Sequence, residues 1–231
     1  MLPTHLAGNQ AQGLTAHQSV AQFEIGDMRN FVYLLLDWPS REAALVDPQK
    51  DLTLPLAALR SHGFRLTRVL LTHTHHDHIA GVPELARAYP DVPISVHASD
   101  FHRLPSAVRA SARIEKLADG NRIKLGKQQI EVLHTPGHSA GECCFFVAGG
   151  ETPYLFTGDT LFIRDCGRTD FPDGSNEQMF ASLQRIKALP KETVILPGHH
   201  YAQETASTLT QELEHSPPLR CQSVSELEAL P

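Results

Sequence analysis

The chain has 231 residues with a formal charge of −6, 41% hydrophobic and 20% charged residues, the balance of a globular fold with a sizeable core. The acidic balance, with no Lys/Arg cluster, excludes a tracker of nucleic-acid phosphates, and the longest apolar run, residues 31–36, is strand-sized and far short of a membrane span. Residues 1–19 lack a basic start and an apolar h-region and read as a loose arm; Cys143, Cys144, Cys166 and Cys221 form no CxxC or framework spacing, so a reducing, cytoplasmic setting is expected.

Regular patterning begins at Val20. Strands are predicted at 20–25, 31–37 and 43–47, separated by Gly26-Asp27 and by Trp38-Pro39-Ser40 and ending on Asp47-Pro48. Leu52, Leu56 and Leu59 at helical spacing, with a stop at Gly63, predict a helix over 52–62. A strand at 66–72, a helix at 82–89 with Pro83 in its first turn, and a strand at 93–97 follow. The polar, arginine-bearing region 99–118 reads as a short helix with a surface loop. Strands return at 122–125, 128–134, 142–147 and 154–157, where the adjacent Cys143 and Cys144 should face opposite sides. Ser175-Asn176-Glu177-Gln178 is a capping-box pattern, and Met179, Phe180, Leu183 and Ile186 form the apolar stripe of the helix behind it. A strand at 193–196, a helix at 205–214 and a tail from Ser216 complete the chain. Two successions of strands and then helices predict two sheets face to face with helices outside.

The chemistry concentrates in residues 70–81, LLTHTHHDHIAG, where an apolar strand empties into His73, His75, Asp77 and His78. Extended backbone turns residues two apart the same way, so His73 and His75 can converge on one ion; Asp77 and His78 join on a second only if the chain turns there. Imidazole with carboxylate suits zinc, iron or manganese and argues against calcium or magnesium. Three more predicted strands end in the same grammar, a small residue and then a candidate ligand: Pro136-Gly137-His138, Gly158-Asp159 and Pro197-Gly198-His199. The remaining histidines read as bystanders: His76 directed away from His75, His97, His102 and His134 structural, His200 needing a turn to join His199, and His5, His17, His62 and His215 solvated.

THTHHDH, TPGHS, TGDTLF and PGHH, in this order, resemble the motif set of the metallo-β-lactamase superfamily over residues 23 to about 219. The resemblance implies an α/β fold, a four-layer αββα sandwich, as a single domain over residues 20–231 with the metals at one edge between the sheets. It also implies that His73, His75 and His138 hold one metal, that Asp77, His78 and His199 hold a second, and that Asp159 bridges them. Such a centre would activate a bridging hydroxide, which Asp77 could orient as a catalytic residue.

Within the superfamily, residues 161–171, LFIRDCGRTDF, are similar to the glyoxalase II and persulfide dioxygenase branch. Both groups handle glutathione adducts, which implies that Arg168 holds a substrate carboxylate; an ion pair to Asp165 or Asp170 is its structural alternative, and the expected role of Arg164. The leading expectation is a hydrolase of a small thioester or related acyl substrate with two divalent ions, zinc first; His76 and Ile79-Ala80 resemble that branch. The alternative is a dioxygenase acting on glutathione persulfide with one Fe(II) on His73, His138 and Asp159. A third class is a ligand-binding member without turnover, although its usual mark, a lost ligand, is absent. The segment after His199 is too short for the helical C-terminal domain of glyoxalase II. The expected partner is a small molecule, a glutathione or other thiol adduct, with no nucleic acid and no membrane.

Overall fold

The computed structural model describes residue 14, residues 18–148, residue 150 and residues 152–230. One six-stranded sheet follows chain order: β1 (Val20–Ile25), β2 (Asn30–Asp37), β3 (Glu42–Val46), β4 (Arg65–Leu70), β5 (Ile94–His97) and β6 (Ile114–Leu117). β1, β2 and β3 are antiparallel neighbours, whereas β3 to β6 run parallel. Parallel neighbours require crossovers. These contain α1 (Thr53–Ser61), then α2 (His76–Ile79) with α3 (Val82–Ala88), then α4 (Ser106–Ser111).

The second sheet has the spatial order β12 (Ser207–Thr208), β11 (Val194–Pro197), β10 (Tyr154–Gly158), β9 (Cys143–Ala148), β8 (Gln128–His134) and β7 (Arg122–Leu125). Its one parallel pair, β10 with β11, is connected through α5 (Asn176–Lys187). Both sheets are covered on both faces, which is why β2 reads as an unbroken apolar run. Phe31, Tyr33 and Leu35 point between the sheets and meet Ile130, Val132, Phe145 and Phe156; Val32, Leu34 and Leu36 point outward to Leu59 and Leu85. On the other outer face Leu133, Cys144 and Leu155 pack on Met179, Leu183 and Ile186 of α5. The αββα layering is the expected one. Cys143 and Cys144 lie on opposite faces of β9, as predicted.

The inner layer also registers the sheets at the functional edge. Tyr33 meets Phe156 edge to face at 5.2 Å, and its hydroxyl donates to Pro197 O at 2.6 Å, tying β2 to the end of β11.

Four details differ from expectation. Residues 99–118 contain a 3₁₀ turn, α4 and the parallel edge strand β6, hidden in the sequence because only Leu117 of β6 is buried. The strand predicted at 66–72 stops at Leu70, and Thr72 N donates to Asp47 Oδ1 at 2.8 Å. The predicted helix 205–214 starts only at Leu209, as α6 (Leu209–His215), because Thr208 caps it through Gln211 and pairs with β11. The tail forms α7 (Pro217–Arg220) and α8 (Val224–Glu228), whose Leu219 and Leu227 join the α5 cluster. Most of the expected N-terminal arm, with His5 and His17, lies outside the described residues; Leu14 and Gln18 are buried, and Trp38 Nε1 donates to Gln18 O at 2.7 Å.

Candidate metal centre

β4, β8, β10 and β11 bring their C-terminal ends to one edge of the sandwich, and the predicted ligands lie just beyond them. His75 is extended (φ −64°, ψ 148°) and precedes the single turn α2, which carries Asp77 and His78 inward and leaves the His76 side chain 86% exposed. Two glycines make the other approaches possible. Gly137 (φ 145°) packs so closely that a Cβ would lie 2.5 Å from Met179 Cα, and a Cβ on Gly198 would lie 2.4 Å from Asp159 Oδ1.

The structure brings all seven predicted ligands together. His73, His75 and His138 form one group and Asp77, His78 and His199 a second, each offering ligand atoms within 4.8 Å of one another. His75 Nδ1 lies 2.9 Å from His138 Nε2, and His78 Nε2 lies 3.1 Å from His199 Nε2. Asp159 stands between the groups, with Oδ1 3.4 Å from His78 Nε2 and Oδ2 3.5 Å from His138 Nε2 and 3.4 Å from His199 Nε2. Asp77 Oδ2 is 3.4 Å from both His78 Nε2 and His199 Nε2.

The outer nitrogens set the tautomers. His78 Nδ1–H donates to Asp47 Oδ2 at 3.0 Å, His199 Nδ1–H to Met28 O at 2.9 Å and His138 Nδ1–H to Arg168 O at 2.8 Å. Each therefore turns its Nε2 inward, a lone pair for a ligand whenever the ring is neutral. For His73, the Thr72 hydroxyl proton goes to Asp47 Oδ2 at 2.6 Å, so the Thr72 oxygen 3.1 Å from His73 Nδ1 can only accept. His73 is then Nδ1-protonated, and its fully buried Nε2 has no hydrogen-bond partner, nor does Asp159 Oδ1. Facing lone pairs and orphaned buried donor atoms are what a divalent cation would satisfy, so the donor set fits metal ions.

Electrostatics separates the two groups. Burial pushes His73 well below the ordinary imidazole range, with the His78 charge adding to it, and burial also lowers His75 and His138. They are neutral and ready to ligate. For His78, burial is outweighed by Asp159, Asp47 and Asp77, which raise it to about 9, so without metal it keeps a proton that metal binding would displace. Burial would raise the Asp159 carboxyl, but His78, His73 and His199 hold it far below the carboxylate range. Burial, reinforced by Asp159, raises Glu142 well above that range, and a nearby cation acts in the opposite sense.

Three contributors were missed in the sequence. Asn30 donates to Asp77 Oδ2 at 2.8 Å, Asp47 orients His78, and Glu142 touches both His73 and the Asp159 backbone. Asp47 carried a signal, since Val46-Asp47-Pro48 also ends a strand on an acid. Asn30 fell just before the predicted strand 31–37, and Glu142 read as the ordinary first residue of the strand 142–147.

Arg168 stands at the rim, 67% exposed. Its guanidinium pairs with Asp170 through two 2.6 Å bonds and lies 4.9 Å from the Phe171 ring centroid. Phe171 in turn packs at 4.8 Å on His75 and 5.2 Å on His138. Tyr201, 54% exposed, lies parallel to His199 at 4.7 Å. Arg164 pairs with Glu204 at 2.6 Å, an ion pair as expected but with a different acid. Of the bystander histidines, His97 and His134 stack at 3.9 Å, His200 is held by Glu24 at 2.6 Å, and His62, expected to be solvated, is half-buried edge-on to Trp38.

The sequence model described as Metallo-beta-lactamase superfamily matches residues 26–199. The hydroxyacylglutathione hydrolase of Pseudomonas entomophila is 37% identical over 203 residues, covering 87% of this chain and 74% of that protein. Further hydroxyacylglutathione hydrolases match at 37% to 40% identity, and the chain spans only 63% to 65% of their length. Among solved structures, ETHE1 from Myxococcus xanthus superposes with a TM-score of 0.79 at 28% identity, covering 93% of this chain and 92% of that one. TTHA1623 in a di-iron-bound form does so with a TM-score of 0.71 at 31% identity, covering 85% and 98%. With the αββα layers, the strand-end ligand grammar and a family match over more than half its length, the chain belongs to the metallo-β-lactamase superfamily.

Proposed function

We propose that the protein hydrolyses a small thioester, an acyl adduct of glutathione. It would use two divalent ions, zinc first, one on His73, His75 and His138 and one on Asp77, His78 and His199, with Asp159 shared between them. The observation that carries this reading is the paired approach of imidazole nitrogens, 2.9 Å and 3.1 Å, on either side of one carboxylate. The hydroxyacylglutathione hydrolases among its relatives support the thioester and the thiol carrier.

When bound, such ions supply Lewis acidity for the carbonyl and a water acidified to near neutrality. The chain's own residues do the rest. Asp77, held by Asn30 through Oδ2, is the carboxylate placed to accept a proton of the attacking water and aim its lone pair. Arg168 would exchange its Asp170 partner for a substrate carboxylate, with Phe171 keeping its guanidinium planar to the rim. Tyr201 and Phe171 wall the mouth with aromatic surface that limits the water reaching the acyl carbon. A cytoplasmic setting accompanies the proposal; among the described residues no helix is long and apolar enough to cross a membrane, and all four cysteines are free.

A second reading, oxidation of glutathione persulfide with one Fe(II) on His73, His138 and Asp159, is favoured by one observation. His138 Nε2 and Asp159 Oδ2, two members of that triad, lie 3.5 Å apart beside His73. The test is metal analysis of protein purified without added metal, together with thioester hydrolysis and oxygen uptake on glutathione persulfide. Two zinc ions with thioester turnover and no oxygen uptake is the expected result; one iron with oxygen consumption replaces the hydrolase by the dioxygenase.

A further inference from the structure

The loop after β3 reaches the metal centre through two side-chain amides. Gln49 is held between two glycines: a Cβ on Gly26 (φ 79°) would lie 3.1 Å from its Nε2, and one on Gly81 would lie 2.5 Å from its carbonyl oxygen. Gly81 N also donates to Pro48 O at 2.8 Å, which fastens the loop behind the turn α2 that carries Asp77 and His78. Asn30, 1% exposed at the start of β2, stands between this loop and the ligands. Its Nδ2 donates to Asp77 Oδ2 at 2.8 Å and lies 3.3 Å from His78 Nε2, while its backbone pairs with His199 in a bridge between the two sheets. One residue thus meets all three members of the Asp77, His78 and His199 group.

An amide side chain can face either way, so its direction needs a cause. Here the cause lies at the far end. Lys50 N is a backbone donor and gives its hydrogen to Gln49 Oε1, which leaves Gln49 Nε2 to donate to Asn30 Oδ1 at 3.4 Å. With its oxygen occupied, Asn30 presents its NH₂ to Asp77. The donors therefore run in one direction, from Lys50 N–H to Gln49, to Asn30, to Asp77, and no group in the chain before the carboxylate titrates. Asp77 Oδ2 is also the oxygen that lies 3.4 Å from His78 Nε2 and from His199 Nε2, so the amide holds the atom that faces both imidazoles.

We propose that Asn30 is a positioning residue for Asp77 and that Gln49 sets its direction. Asn30 fixes the rotation of the Asp77 carboxyl toward His78 and His199, and Gln49 keeps the amide from turning its oxygen on that carboxyl. The kinetic consequence rests on the hydrolase reading above, and the spectroscopic one on the metal-centre geometry alone. Two substitutions at Gln49 separate direction from mere contact. Gln49→Glu supplies acceptors and no donor, so Asn30 can pair with it only by turning its oxygen on Asp77, whereas Gln49→Met removes the partner and puts no competitor in its place.

The test compares Asn30→Leu, Gln49→Glu, Gln49→Met and the Asn30→Leu/Gln49→Glu pair with the unsubstituted protein, each fold checked by circular dichroism. Each protein is loaded with zinc for saturation curves on an S-acylglutathione, and titrated metal-free with cobalt to read visible absorption. Asn30→Leu is expected to lower kcat about 10–100-fold with KM nearly unchanged and to alter the cobalt spectrum. Gln49→Glu is expected to lower kcat about tenfold and Gln49→Met no more than about threefold. The pair should be no worse than Asn30→Leu alone, since Gln49→Glu acts through the amide. Unaltered kcat and an unaltered spectrum in Asn30→Leu overturn the role of Asn30; equal losses in Gln49→Glu and Gln49→Met, or additive losses in the pair, overturn the direction set by Gln49. Should Asn30→Leu not fold, the two Gln49 variants decide. An unsubstituted protein that takes up cobalt but cleaves no S-acylglutathione overturns the hydrolase reading alone, and the cobalt spectra then decide on Asn30; one that binds no metal overturns the centre and this proposal with it.

Discussion

His75 meets the other imidazoles through Nδ1, and His73, His78, His138 and His199 through Nε2, and the difference follows from what lies behind each ring. Three rings are backed by a carboxylate or carbonyl that occupies Nδ1 and His73 by the Thr72 hydroxyl; His75 instead has Phe171 against its face. Removing an inner nitrogen should therefore cost more than removing an outer partner. His138→Ala should lose activity well beyond the about 10–100-fold typical of an outer partner, because the hydrolase and the dioxygenase both use it. His199→Ala should cripple hydrolysis and leave about one metal bound; measured metal content of two with full hydrolysis would contradict the two-metal proposal. Arg168→Ala should raise KM roughly tenfold with kcat nearly unchanged, since the guanidinium stands at the rim and touches no predicted ligand with its side chain. A matching fall in kcat, read from full saturation curves, would place it in the chemistry instead.

Single elements contribute to the site mainly by where they stop. β4 ends two residues before its ligands because Asp47 takes the Thr72 amide and hydroxyl, and β10 and β11 end on glycine-containing turns packed against each other at Asp159. The ends of β5 and β8 are joined by the stacked His97 and His134, with Asp100 and Asp119 nearby. Burial, and then the neighbouring His134, lowers His97 below its ordinary value of 6.5, so its neutral form is the stabilising one. That contribution is complete above about pH 6.5 and is lost as the pH falls below it, because the unfolded chain takes up the proton first. His97→Gln should accordingly show a shallower loss of Tm between pH 7 and pH 5 than the unsubstituted protein, followed by thermal melts. Parallel curves would remove His97 from the acid response.

For the molecule as a whole, the seven predicted ligands come from both sheets. His73, His75, Asp77 and His78 follow β4, while His138, Asp159 and His199 follow β8, β10 and β11. Bound metal would clamp the two sheets at one edge and bind the folded state alone. A free concentration of 1,000 times Kd stabilises by about 4 kcal/mol, which for a chain of this size is a Tm shift on the order of 10 °C. Chelation should lower Tm by that order, and added zinc should restore it; an unchanged Tm in protein shown to lose its metal would mean that the ligands are equally ordered without it.

Seven candidate ligands, the two-sheet layering and both faces of β9 were legible in the sequence because each depends on local rules: alternation along a strand, and a small residue where the chain turns after it. The same rules missed β6, of which only Leu117 is fully buried, and ran the last helix too early, since the Thr208 cap acts only once β12 pairs with β11. The outer partners lay beyond them altogether. Asn30 reaches Asp77 across 47 residues of chain, His199 takes its acceptor from Met28 171 residues away, and Glu142, just before β9, accepts from Asp159 N. The candidate ligand types were determined by the sequence alone, whereas the hydrogen-bond partners and the charge balance around them were decided by tertiary structure, because a hydrogen bond between distant segments exists only after the two sheets have packed.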